Sequence, residues 1–92
     1  MTTHRLYEVG ATPTKITPDG THSGMDITIQ NVNSNKNIYL GGYDVTKTNY
    51  GYRILPNHAI SLELSGMDDL YLVGDESGLF AAVLKVKLEV GQ

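Results

Sequence analysis

The sequence predicts an all-β fold, a small antiparallel β-sandwich or jelly-roll-like barrel of about seven or eight short strands with no substantial helix. Three observations carry this expectation. Apolar residues alternate with polar ones at a period of two in several windows. Turn-forming clusters of Gly, Pro, Asn and Asp separate those windows every 8–12 residues or so. Good helix formers never gather at a 3.6-residue period, while Thr (9), Gly (10) and Asn (6) are abundant.

Taken in order, residues 5–9 and 14–16 read as the first strands, followed by a strong turn at Pro18-Asp19-Gly20. Met25, Ile27 and Ile29 then alternate with Asp26, Thr28 and Gln30, the pattern of a half-buried strand. Asn33-Ser34-Asn35 supplies the next turn, because Asn tolerates left-handed backbone angles. Ile38-Tyr39-Leu40 is a short apolar strand. Residues 41–51 are too long and polar for a hairpin turn and read as an exposed loop or crossover. Beyond them come Tyr52-Arg53-Ile54-Leu55, a turn at Pro56-Asn57, and Ile60, Leu62 and Leu64 against Ser61 and Glu63. The clusters at 66–69 and 75–78 bracket Leu70-Tyr71-Leu72-Val73, and these later turns are expected to close hairpins. In the last segment Phe80, Ala82, Leu84, Val86, Leu88 and Val90 form the apolar side, while Lys85, Lys87 and Glu89 form the wet one. A faint echo links Ile38-Tyr39-Leu40-Gly41-Gly42 to Leu70-Tyr71-Leu72-Val73-Gly74, as two similar hairpins facing each other across a sandwich would produce.

Ninety-two residues make one domain. Residues 1–13 are expected as an N-terminal arm or edge strand, and 14–92 as a single sandwich. With 40% hydrophobic and 18% charged residues the chain is globular rather than disordered. A formal charge of −3 argues against nucleic acid as a partner. The absence of cysteine rules out disulfides, thiolate metal sites and a Cys nucleophile. A domain this small hides only about 60–65% of its unfolded surface and usually needs a staple, so the composition favours self-association. No leader and no membrane-spanning run is expected, which predicts synthesis in a cytosol-like compartment.

The chemistry-bearing residues predict no enzyme, no metal and no cofactor. His4, His22 and His58 stand apart, without the spacing of a ligand set. Asp68–Asp69 and Asp75–Glu76 are neighbours that point to opposite faces in an extended chain, so neither is an acid/base dyad, and both suit tight turns. No calcium loop, Ser-x-x-Lys, nucleophile elbow or phosphate loop occurs. The tyrosines are the more informative set. Tyr39, Tyr43, Tyr50 and Tyr52 fall close together with Lys47, Asn49 and Arg53 among them. Tyr39 and Tyr52 read as strand residues. Tyr43 and Tyr50, with Lys47 and Asn49, read as a contact surface, since Tyr supplies a large amphipathic area at low entropy cost.

Residues 16–32 (Ile-Thr-Pro-Asp-Gly-Thr-His-Ser-Gly-Met-Asp-Ile-Thr-Ile-Gln-Asn-Val), Ile38-Tyr39-Leu40-Gly41-Gly42, Val45-Thr46, Asn49-Tyr50-Gly51-Tyr52, Leu55-Pro56, Asp69-Leu70-Tyr71 and Val83-Leu84 form a familiar series. Over 14–88 the chain resembles small capsid decoration and auxiliary virion proteins of tailed bacteriophages. The resemblance implies a compact β-rich subunit on the outside of the virion, commonly a homotrimer. Such a subunit binds the major capsid protein and stabilises the head, without a reaction, nucleic acid or membrane. It also implies that contacts are made by the 41–52 loop and by the N-terminal segment, where Arg5 and Tyr7 stand. Similar strings occur in fibre, tail and baseplate modules, which makes a receptor- or host-glycan-binding module the alternative.

Overall fold

The computed structural model describes residues 2–17, 24–64 and 68–87. Within them run β1 (Thr2–Val9), β2 (Thr14–Lys15), β3 (Met25–Asn31), β4 (Ile38–Gly41), β5 (Tyr52–Ile54), β6 (Ala59–Leu64), β7 (Tyr71–Gly74) and β8 (Leu79–Lys87). They form two four-stranded antiparallel sheets, ordered β1-β8-β3-β6 and β2-β7-β4-β5. The turns expected at Pro18-Asp19-Gly20 and at Gly66-Met67 lie outside the described residues.

This order is that of a jelly roll, and it corrects how the turns are used. Among the described strands only β4 and β5 are both consecutive and paired. Their connection is the 42–51 segment, which is therefore a hairpin loop rather than a crossover. The turns at Pro56-Asn57 and 75–78 carry the chain from one sheet to the other instead of closing hairpins. Each has the backbone such a sharp change needs. Asn57 sits at φ 62° and Gly78 at φ 81°, both in the left-handed region. The echoing segments are likewise neighbours in one sheet, β4 paired to β7 with Leu40 opposite Leu72, rather than hairpins across the sandwich.

The core lies between the sheets. Met25, Ile27 and Ile29 of β3 and Leu64 of β6 point inward, as their alternation predicts, and meet Ile38, Leu40, Ile54 and Leu72 of the second sheet. Burying each such side chain contributes about 1.5–3 kcal/mol.

β8 is the exception. Its buried face is Leu79, Ala81 and Val83, while Phe80, Leu84 and Val86 point outward and are 39–42% exposed. The expected faces are reversed. Residues 79–84 read Leu-Phe-Ala-Ala-Val-Leu, apolar on both sides, so alternation there does not say which side faces the core. Continuous pairing with β1 and β3 places Ala81 and Val83 over the second sheet. Leu88 and Val90 lie outside the described residues.

One buried polar side chain locks the β3–β4 connection. Asn31 donates from Nδ2 to the carbonyls of Lys36 and Ile54, at 2.7 and 2.9 Å, and its Oδ1 accepts from the N–H and side-chain amide of Asn33. Asn33 in turn continues the ladder beyond the end of β3, donating to the Phe80 carbonyl and accepting from the Phe80 N–H.

Candidate interaction surfaces

The two outer faces of the sandwich are finished differently. On the second sheet Tyr39, Tyr71 and Val73 point away from the core. The β4–β5 loop folds over them and seats Val45, 2% exposed, in a second small cluster. Gly41 makes this possible, because a Cβ there would lie 2.9 Å from a Val45 methyl. A tight turn at 46–49 organises the loop. Thr46 and Asn49 exchange backbone hydrogen bonds, and the Thr46 hydroxyl accepts the Asn49 N–H at 2.9 Å.

At this loop the structure gathers four of the residues expected to make contacts. Tyr43 is 78% exposed, the most exposed of the large hydrophobic side chains. Tyr50 is half anchored, its ring 4.7 Å from that of buried Tyr39. Lys47 and Asn49 are exposed in the same loop. Gly42, Asp44, Asn49, Tyr50 and Gly51 border a shallow depression of about 170 Å³. Beneath it the Tyr39 hydroxyl donates to Asp75 at 2.7 Å, and Asp75 also accepts the Asn37 N–H.

Arg5 and Tyr7 are elsewhere. Both lie on the inward side of β1, opposite Val83 and Ala81. Tyr7 packs against the core, and its hydroxyl donates to the Ile16 carbonyl and accepts from Lys85. Arg5 lies over the Tyr7 ring at 4.7 Å and Lys85 over it at 5.7 Å. The six expected contact residues therefore form two groups, one on each sheet.

On the first sheet no described segment roofs the outer face. Leu6 of β1 (58% exposed), with Leu84, Val86 and Phe80 of β8, makes an apolar stripe. Leu6, Thr28, Gln30, Ala82 and Leu84 line an open depression of about 310 Å³ on it. β3 and β6 give the stripe a polar flank, with Asp26 opposite Glu63 and the Thr28 and Ser61 hydroxyls 2.7 Å apart. Leu6, Leu84 and Val86 are the residues that reasoning from the sequence assigns to no surface. Their signal is present in the doubly apolar 79–84 run, which holds more apolar residues than one buried face can use.

The described titratable groups outside these surfaces lie in separate places. His4 is exposed on the outer side of β1, and the His58 Nδ1 lies 2.9 Å from the Pro56 carbonyl in a turn. His22 lies outside the described residues. No three metal-ligating side chains gather among the described residues. Asp69 accepts the Thr17 hydroxyl and faces Lys15, and Glu76 pairs with Lys36 at 2.9 Å.

No protein-family model matches the chain, and no curated protein matches it in sequence. Among solved structures it resembles a chain of the Bacillus endospore appendages, described as a novel family of disulfide-linked pili. The TM-score is 0.58 at 14% identity, over 97% of this chain and 87% of that one. At that identity the likeness shows the fold alone, an eight-stranded all-β sandwich.

Proposed function

We propose that this chain is a non-catalytic building block of a multi-copy assembly, in its specific form a decoration subunit on the outside of a phage head. The observation that carries the reading is the contrast between the two outer faces. The second sheet covers its apolar side chains with its own loop, whereas the first leaves Leu6, Leu84, Val86 and Phe80 exposed in one stripe. Contiguous exposed apolar surface beside a polar flank is the mark of a protein-binding face. The resemblance of the sequence to decoration proteins supplies the setting. A related fold serves in pili, but those are disulfide-linked. A chain with no cysteine would have to assemble through its surfaces alone.

The test is binding to expanded heads that lack the protein. Leu84→Lys combined with Val86→Lys alters two exposed positions and should leave the melting temperature close to that of the wild type. The same pair should abolish co-sedimentation with heads. Undiminished co-sedimentation would reject this face as the docking surface.

Tyr43 favours a second reading, recognition of a host glycan by the β4–β5 loop. Its nearly free ring, in the same loop as the depression bordered by Asp44, Asn49 and Tyr50, offers a stacking platform near hydrogen-bonding groups. On that reading Tyr43→Ala with Tyr50→Ala loses glycan-array and cell binding and keeps attachment to heads.

A further inference from the structure

The first sheet ends in a long open edge. β1 pairs with β8 in unbroken register over all eight residues, and no described strand lies on its other side. Such an edge presents a row of N–H and C=O groups to any extended partner. Natural edges are commonly blunted by Pro, a bulge or charged side chains; β1 has no Pro and no bulge, and its charges are Arg5 and Glu8, which a partner strand would have to satisfy. The other edges are poorer templates. β2 and β5 are two and three residues long, and β6 carries Glu63 with no cation of its own to face it.

We propose that β1 pairs antiparallel with β1 of a second copy of this chain, about a two-fold axis through Leu6 and perpendicular to the sheet. The inference rests on the assembly reading above and names its first contact. In an antiparallel pair, residues directly opposite share a face, and a two-fold makes the contacts reciprocal. With Leu6 on the axis, Leu6 opposes itself and His4 opposes Glu8 on the outer face. On the inner face Arg5 opposes Tyr7, and Thr3 opposes Val9. The two charged residues of β1 thus meet a ring, in the case of Arg5, and an imidazole, in the case of Glu8. Other axes of the same kind do worse. An axis on Arg5 sets Arg5 against Arg5, one on Glu8 sets the two carboxylates together, and one on Tyr7 sets Leu6 against Glu8.

The pairing also serves the docking face. It joins two four-stranded sheets into one of eight strands and keeps both outer faces on the same side. The Leu6, Ala82 and Leu84 stripes of the two copies become one central platform. The resulting oligomer is built on a dimer, in place of the trimer that the resemblance implies.

The absence of cysteine makes the test direct. Leu6→Cys introduces the chain's sole thiol at an exposed position on the axis, where the separation of paired strands, about 4.5–5.5 Å between Cα atoms, suits a disulfide. Mild oxidation should convert this variant largely to a covalent dimer, while Tyr43→Cys stays mostly uncrosslinked. By sedimentation equilibrium, His4→Glu should weaken the dimer about tenfold by placing carboxylates opposite each other twice. Adding Glu8→Lys should restore it to within about threefold. A protein that stays monomeric at roughly 200 µM would overturn the pairing. So would an oligomer in which the Leu6→Cys variant crosslinks no faster than the Tyr43→Cys variant, or a His4→Glu loss that Glu8→Lys does not rescue. If heads still bind a monomeric chain, edge pairing falls and the docking reading stands. If dimers form and no head is bound, the docking reading falls and the pairing stands.

Discussion

Asp75 shows how much one exposed-looking turn residue does. Burial pushes its carboxyl up, but the Asn37 N–H, the Tyr39 hydroxyl and the nearby Lys36 and Lys47 charges outweigh that and hold it below its ordinary range. Because its folded value is the lower one, its contribution is complete at pH above the unfolded value and is lost as pH falls through the folded value. Tyr39 behaves in the opposite sense. Burial first, then the Asp75 hydrogen bond, raises its phenol, so its contribution is complete below the unfolded value near 10 and is lost as pH rises through the folded one. Asp75→Asn should therefore cost about 1–3 kcal/mol in denaturant unfolding at pH 7, with the difference shrinking toward pH 2–3. Asn31 is the second such residue. Asn31→Leu would leave the Lys36 and Ile54 carbonyls without their partner and should cost about 2–4 kcal/mol in the same measurement. Neither role is legible in the sequence. Asp75 and Asn31 look like any turn or strand-end polar residue until distant chain segments deliver Tyr39 and Asn37 to the one and Ile54 to the other.

At the scale of elements, the β4–β5 loop is the part most exposed to small changes. Gly41→Ala would press a methyl against Val45, and Val45→Ala would empty the cluster the loop closes on. Each should destabilise by about 1–3 kcal/mol, and faster amide exchange confined to residues 42–51 should accompany it. The strands themselves are the most legible part of the sequence. β3 and β6 are readable because one face is apolar and the other is not, which leaves a single register that buries the core. β8 misleads for the complementary reason. Its first six residues are apolar on both faces, so the choice is made by its neighbours in the sheet and not by its own pattern. The same ambiguity hides the exposed stripe. An apolar residue that stays outside has the same letter as one that is buried. The loop's tyrosines, set among glycines and polar residues, are readable as exposed because nothing nearby in the sequence offers them a core. The 42–51 segment reads equally as an exposed loop or a crossover because its length is that of a loop with its own packing to do.

For the whole molecule, the measure is the dependence of stability on concentration. A small, cysteine-free sandwich that pairs through β1 gains stability by mass action, so its melting temperature should rise with protein concentration over the micromolar range. Leu6→Asp, a change at an exposed position, should flatten that dependence while leaving the dilute melting temperature within a few degrees. A wild-type midpoint that does not move with concentration would separate folding from association. Pairing between β1 and β8 bears on the order of folding as well. Thr2 opposite Val86 and Val9 opposite Leu79 are contacts between segments far apart in the sequence, whereas β4 and β5 are joined directly by the 42–51 loop. Bringing distant ends together costs the most loop entropy before it returns anything. Amide pulse labelling during refolding should then find β4 and β5 protected first and β1 last. The strand that offers its free side to a neighbour would be the last to settle into its own sheet, and a newly made chain would become competent to associate only when its folding is complete.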